Sequence, residues 1–153
     1  MDTRRVLVAD DNVSLADTVG EILNDHGFDV TVVTSGTDVL LAWRKRPADV
    51  AVLDVDLPDI GGLRLARRLA SRRHRCGLVL MSARDPEDLR PRVEALGAQF
   101  LPKPFSPEHL LGTVETLLRH LGDAAPRQSD SPLLLGARVP KALLDRLRRR
   151  RRR

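Results

Sequence analysis

Five short apolar runs alternate with five helix-like patterns along the first 122 residues, and this alternation restricts the fold more than any other feature. The runs are Val6 to Ala9, Val30 to Thr34, Val50 to Leu53, Leu78 to Met81 and Phe100 to Leu101, each β-branched or leucine-rich. The first helix, about Val13 to His26, puts Leu15, Val19, Ile22 and Leu23 on one face and stops at Gly27. A second is capped by Ser35, buries Val39, Leu40 and Trp43, and ends before Pro47. A third, Gly62 to Ser71, carries Leu65, Ala66 and Leu69 at core spacing. The fourth, Glu87 to Leu96, is expected short, kinked or late to start, because Pro91 removes a helical hydrogen bond. The fifth has Ser106 as cap, Pro107 in its first turn, a stripe from Leu110 to Leu121, and Gly122 as its stop. Such alternation implies right-handed βαβ crossovers and a doubly wound, five-stranded parallel sheet with helices on both faces. Ligands of such sheets bind beyond the carboxyl ends of the strands.

At those ends sit Asp10 and Asp11 after the first strand, Asp54 after the third, Ser82 after the fourth and Lys103 just past the fifth. Three crowded carboxylates repel one another, and a hard divalent cation with oxygen ligands relieves this, Mg2+ being the commonest near phosphate. A lysine and a hydroxyl beside them offer charge and a hydrogen bond to a phosphoryl oxygen. The group reads as a phosphoryl-transfer site. Each residue has a plainer explanation by itself: an Asp pair is often a turn and helix cap, and Phe100 alone would be core.

The joint pattern resembles the receiver domains of two-component response regulators over about residues 4 to 121. The matching segments are VLVADDN, VAVLDVDLPDIGG with Pro58 and Gly62 after Asp54, LMSA, and FLPKPF. The resemblance implies a flavodoxin-like fold and a cytoplasmic phosphoprotein of the single-domain, chemotaxis-regulator-like kind, a switch and not an enzyme. It implies Asp54 as phosphoacceptor, with Ser82 and Lys103 holding the phosphoryl group. Mg2+ would be held by Asp10, Asp11, Asp54 and the backbone carbonyl of Asp56, and Pro104 would follow a cis peptide. Ser82 and Phe100 would form the switch. A sensor histidine kinase or phosphotransfer protein would be the donor, and a downstream protein would read the face of the fourth helix, fifth strand and fifth helix; a homodimer is a further option. This chain departs from the family's usual pattern between Gly97-Ala98 and Phe100, where it has one residue instead of two.

Composition agrees with a soluble globular chain: 42% apolar, 31% charged, one cysteine, and no apolar span of the length a membrane helix needs. The net charge of +5 hides a division. Residues 1–122 hold 16 Lys plus Arg against 18 Asp plus Glu, and residues 123–153 hold 10 against 3. Residues 1–122 are therefore expected as the receiver, 123–132 (DAAPRQSDSP) as a linker, and 133–153 as an Arg-rich extension with a short helix after Pro140. That extension suits nucleic acid or another anionic surface, or is simply a solvated tail.

Two rival functions share these residues. Asp54-Val55-Asp56 also matches the DxD motif of haloacid-dehalogenase-type phosphatases, but there the motif ends the first strand and not the third. The other rival is a receiver-like interaction module that signals through its surface or basic tail without phosphorylation.

Overall fold

In the computed structural model, residues 3–71 and 75–123 are described. Asp123, expected to open the linker, is the last residue of the fifth helix, and the rest of the expected linker and the Arg-rich extension lie outside the described residues. The elements are β1 (Arg5–Ala9), α1 (Val13–Asp25), β2 (Asp29–Val33), α2 (Gly36–Lys45), β3 (Val50–Asp54), α3 (Gly62–Ala70), β4 (Gly77–Ser82), α4 (Pro86–Ala95), β5 (Gln99–Pro102) and α5 (Pro107–Asp123). All strand pairs are parallel and the order is β2-β1-β3-β4-β5. The chain thus reverses direction across the sheet between β1 and β3, and a crevice opens there at the carboxyl ends.

Burial follows the order. Every residue of β3 and β4 is buried, whereas β2, at an edge, is partly exposed along its length. One core packs Trp43, Leu65, Leu69, Leu89 and Phe100 from the α2, α3 and α4 side; the other packs Val19, Leu23, Leu110, Val114 and Leu117 from the α1 and α5 side. A sheet covered on both faces explains why its central strands read as unbroken apolar runs.

Helix starts follow the capping residues. Asn12, Ser35, Asp85 and Ser106 each accept a backbone N–H two or three residues ahead. The expectation of a short or late-starting fourth helix needs correcting: α4 begins at Pro86 and runs ten residues with Pro91 inside it. Asp85 caps that start, Pro86 suits the first turn, and Leu89 and Val93 are both buried on either side of Pro91. Core packing of this turn outweighs one missing hydrogen bond to the Glu87 carbonyl. At the other end, α5 passes through Gly122 to Asp123; only Gly27 and Gly97 take the left-handed conformation that would stop a helix among the described residues. The shortened connection before Phe100 is accommodated by Gly97, after which β5 starts at Gln99 and sets Phe100 opposite Leu80.

Candidate functional site

Asp10 lies just beyond β1, Asp54 ends β3, and these strands are neighbours. Asp10, Asp11 and Asp54 each bring a carboxylate oxygen within 4.8 Å of the others. Asp10 and Asp54 are buried, at 1% and 5% exposure, while Asp11 is open to solvent. Backbone N–H groups hold the two buried carboxylates: Asn12 donates to Asp10 at 2.9 Å and Asp56 to Asp54 at 3.2 Å.

The one ammonium in this cluster is Lys103. Its Nζ donates to Asp10 Oδ2 at 2.7 Å and stands 3.6 Å from Asp54 Oδ1. Lys103 is carried there because β5 pairs with β4 through Ser82 and Pro102, and its own N–H donates to the Ser82 carbonyl at 2.8 Å. The Lys103-Pro104 peptide is cis, as expected. Buried Ser82 lies one residue beyond Met81, the β4 partner of Asp54, and its hydroxyl oxygen accepts the Arg84 N–H at 2.9 Å. Phe100 packs inward at 7% exposure, and the Arg90 guanidinium of α4 sits 5.4 Å from its ring centroid.

Burial raises the pKa of Asp54 above the ordinary carboxylate value, and repulsion from Asp10 adds to this; the Asp56 N–H and Lys103 work against it. Three carboxylates against one ammonium leave the cluster short of positive charge. An all-oxygen donor set with two buried members fits a hard divalent cation.

Gly62 shows why the loop after Asp54 needs a glycine: a Cβ there would collide with the Asp54 carbonyl. Sequence reasoning missed Asp59 in the same loop. Its carboxylate accepts the N–H groups of Gly36 and Thr37, both at 2.8 Å, and the Thr37 hydroxyl at 2.7 Å. These donors, the Thr37 hydroxyl foremost, hold its pKa well below the usual carboxylate range. The tie pins the loop that carries Asp56 to the first turn of α2. No local pattern could reveal it, because the partners stand 22 and 23 residues apart. Arg84 spans the mouth to Asp56 through two N–H groups, the Nε–Oδ2 contact being 3.2 Å.

The profile of the response regulator receiver domain matches residues 6–115, most of the chain and every residue of the cluster. The chain belongs to the response regulator receiver domain family. It is 33% identical over 132 residues to the sensory transduction protein RegX3 of Mycobacterium tuberculosis, covering 86% of this chain and 58% of that protein. Identity to the transcriptional regulatory protein CreB of Escherichia coli is 37% over 122 residues, 79% of this chain and 53% of the relative. The chain spans about half the length of these curated relatives. The chemotaxis response regulator CheY4 of Vibrio cholerae superposes with a TM-score of 0.68 at 28% identity, covering 75% of this chain and 98% of that one.

The parallel five-stranded, five-helix flavodoxin-like architecture expected from the sequence is therefore the observed one. Receivers are regulatory modules of two-component signalling that generally bind Mg2+ at an acidic pocket, and this receiver has a cluster of three Asp residues. Among the described residues no helix is long and apolar enough to cross a membrane.

Proposed function

We propose that Asp54 accepts a phosphoryl group from a phosphohistidine on a sensor kinase or phosphotransfer protein. The observation that carries this reading is the contact set around Asp54: two further carboxylates within 4.8 Å and the Lys103 ammonium at 3.6 Å. Asp10, Asp11, Asp54 and the backbone carbonyl of Asp56 would hold Mg2+. When bound, the ion neutralises carboxylate charge and draws phosphoryl oxygens toward the site.

An Asp54 carboxylate oxygen attacks phosphorus while the P–N bond of the donor breaks, and the departing imidazole keeps the bonding pair and takes up a proton. Lys103 turns from Asp10 to donate to a phosphoryl oxygen. The Ser82 hydroxyl already accepts the Arg84 N–H, so its own proton is available for a second phosphoryl oxygen. Ser82 drawn toward the phosphoryl group would pull the connection between β4 and α4 with it. Inward Phe100 would then be favoured and the α4, β5 and α5 surface reshaped for a downstream protein.

The Asp56 carboxylate is engaged by Arg84, an arrangement at odds with the general acid and base role of a DxD phosphatase. The remaining alternative is a receiver-like interaction module that signals through its surface or basic tail without phosphorylation. Labelling with acetyl phosphate and Mg2+ separates the possibilities. The receiver saturates at one phosphoryl group per chain and loses labelling in Asp54→Asn. A phosphatase releases phosphate continuously from esters, and the interaction module keeps its activity in Asp54→Asn.

A further inference from the structure

The groove between α1 and β2 takes no part in the phosphoryl chemistry. It holds about 240 Å³ and is lined by Gly20, Val30 and Val32 together with Asp17, Glu21 and Asn24. The helix comes close to the strand here, since a Cβ on Gly20 would lie 2.7 Å from a Val32 methyl. Val32 is 36% exposed, and β2 is an edge strand whose outer side has no neighbour among the described strands.

Asp17, Glu21 and Asp25 follow one another at helical spacing on α1, and the segment Asp11–Asp25 contains no Lys or Arg. Like charges at that spacing oppose each other. The ion pairs of the described residues use Asp10, Asp29, Asp49, Asp54 and Asp56, and none of the α1 acids. Among the described residues lining the groove there is no Lys or Arg, and the lining is part apolar.

The same chain holds a segment of the opposite character. Residues 133–153 contain nine Lys or Arg against one Asp, interleaved with six leucines. Its point of departure is favourable. α5 packs beside α1, and Leu117 and Leu121 near its end lie against Gly77, the first residue of β4, so the chain leaves at the amino edge of the sheet. The nine residues 124–132 span at most about 32 Å. The groove lies on the far side of α1, a helix of diameter about 10–12 Å. The Asp54 cluster is at the opposite edge, and two of its three carboxylates are buried against Lys103.

We propose that residues 133–153 dock in cis along the groove between α1 and β2, with leucines over Gly20, Val30 and Val32 and arginines against Asp17 and Glu21. The docked segment would cover the outer edge of β2, the kind of edge that otherwise invites another strand.

The test uses the full chain carrying a nitroxide on Ala142→Cys, with backbone amide signals recorded by NMR. Burial pushes the Cys76 thiol far above its usual range, so the label goes to position 142. Docking in cis predicts loss of intensity at Gly20, Glu21, Val30 and Val32, unchanged over a tenfold range of protein concentration. Intensity returns at about 1 M salt, where the screening length is about 3 Å. It also returns in Asp17→Asn with Glu21→Gln, whose remaining signals report an intact fold. Loss centred on the Asp54 cluster overturns the proposal, as does loss that grows with concentration, which would assign the groove to another molecule's tail. No loss at any salt also overturns it, and a gel shift with duplex DNA would then direct the tail to nucleic acid.

Discussion

Lys103 Nζ donates to Asp10 Oδ2 at 2.7 Å, joining the segment after the last strand to the end of the first. Asp10 is 1% exposed and the Lys103 side chain 19%, so the pair is largely withdrawn from water. Removing one partner strands the other. Lys103→Ala is expected to destabilise the metal-free protein by about 3 kcal/mol, the low end for a broken buried pair. Thermal unfolding with and without Mg2+ checks this: the ion should raise the Tm of the variant more than that of the wild type, and labelling by acetyl phosphate should slow.

Asp54 gives a pH dependence of definite sign. Burial raises its folded-state pKa above 3.8, so the folded protein holds the proton more tightly than the unfolded chain does. Stability is therefore lost as pH rises from 3.8 through the folded value. Asp54→Asn abolishes this loss. In metal-free solution its Tm advantage over the wild type should grow with rising pH and then level off, and Mg2+ should shrink it. An advantage independent of pH would contradict the burial argument.

The sign reverses at Asp59. Its folded pKa is depressed, so its contribution is complete above the ordinary value of 3.8 and disappears only as pH falls through the lower folded value. Asp59→Ala should lower the Tm by a constant few degrees from pH 5 to 8, with the gap closing in stronger acid. Mg2+ affinity should fall as well, because the loop that would offer the Asp56 carbonyl loses its tie to Gly36 and Thr37. Calorimetric titration with the metal reads that directly.

Arg84 and Asp56 are more than half exposed, so their pairing contributes under about 1 kcal/mol to stability. Its effect is expected in kinetics. Arg84→Ala should leave the Tm nearly unchanged and shorten the phosphoryl lifetime several-fold by opening the mouth to water, as the decay of the phosphorylated species would report.

The five parallel strands, the five helices between them and the five polar residues at the strand ends were legible because each rests on local signals: apolar period, caps, and residue type at the end of a run. What escaped depended on contacts distant in sequence. Pro91 argues against a regular helix by propensity, yet Leu89 and Val93 anchor the turn around it in the core. Gly122 has the residue type of a stop, but α5 runs through it. Asp59 reads as a loop residue after Pro58, and only the fold brings it to the first turn of α2. The stacking of Arg90 on Phe100 likewise joins α4 to β5 and leaves no mark in either segment alone.

Everything proposed for the switch turns on which carboxylate accepts the phosphoryl group. Protein phosphorylated with acetyl phosphate and Mg2+ would be reduced with borohydride, which converts an acyl phosphate to the alcohol, then digested and sequenced by tandem mass spectrometry. One reduced residue is expected, at Asp54, absent when Mg2+ is withheld. Reduction at Asp10, Asp11 or Asp56 in its place, or no reduced carboxylate in protein that binds Mg2+, would contradict it.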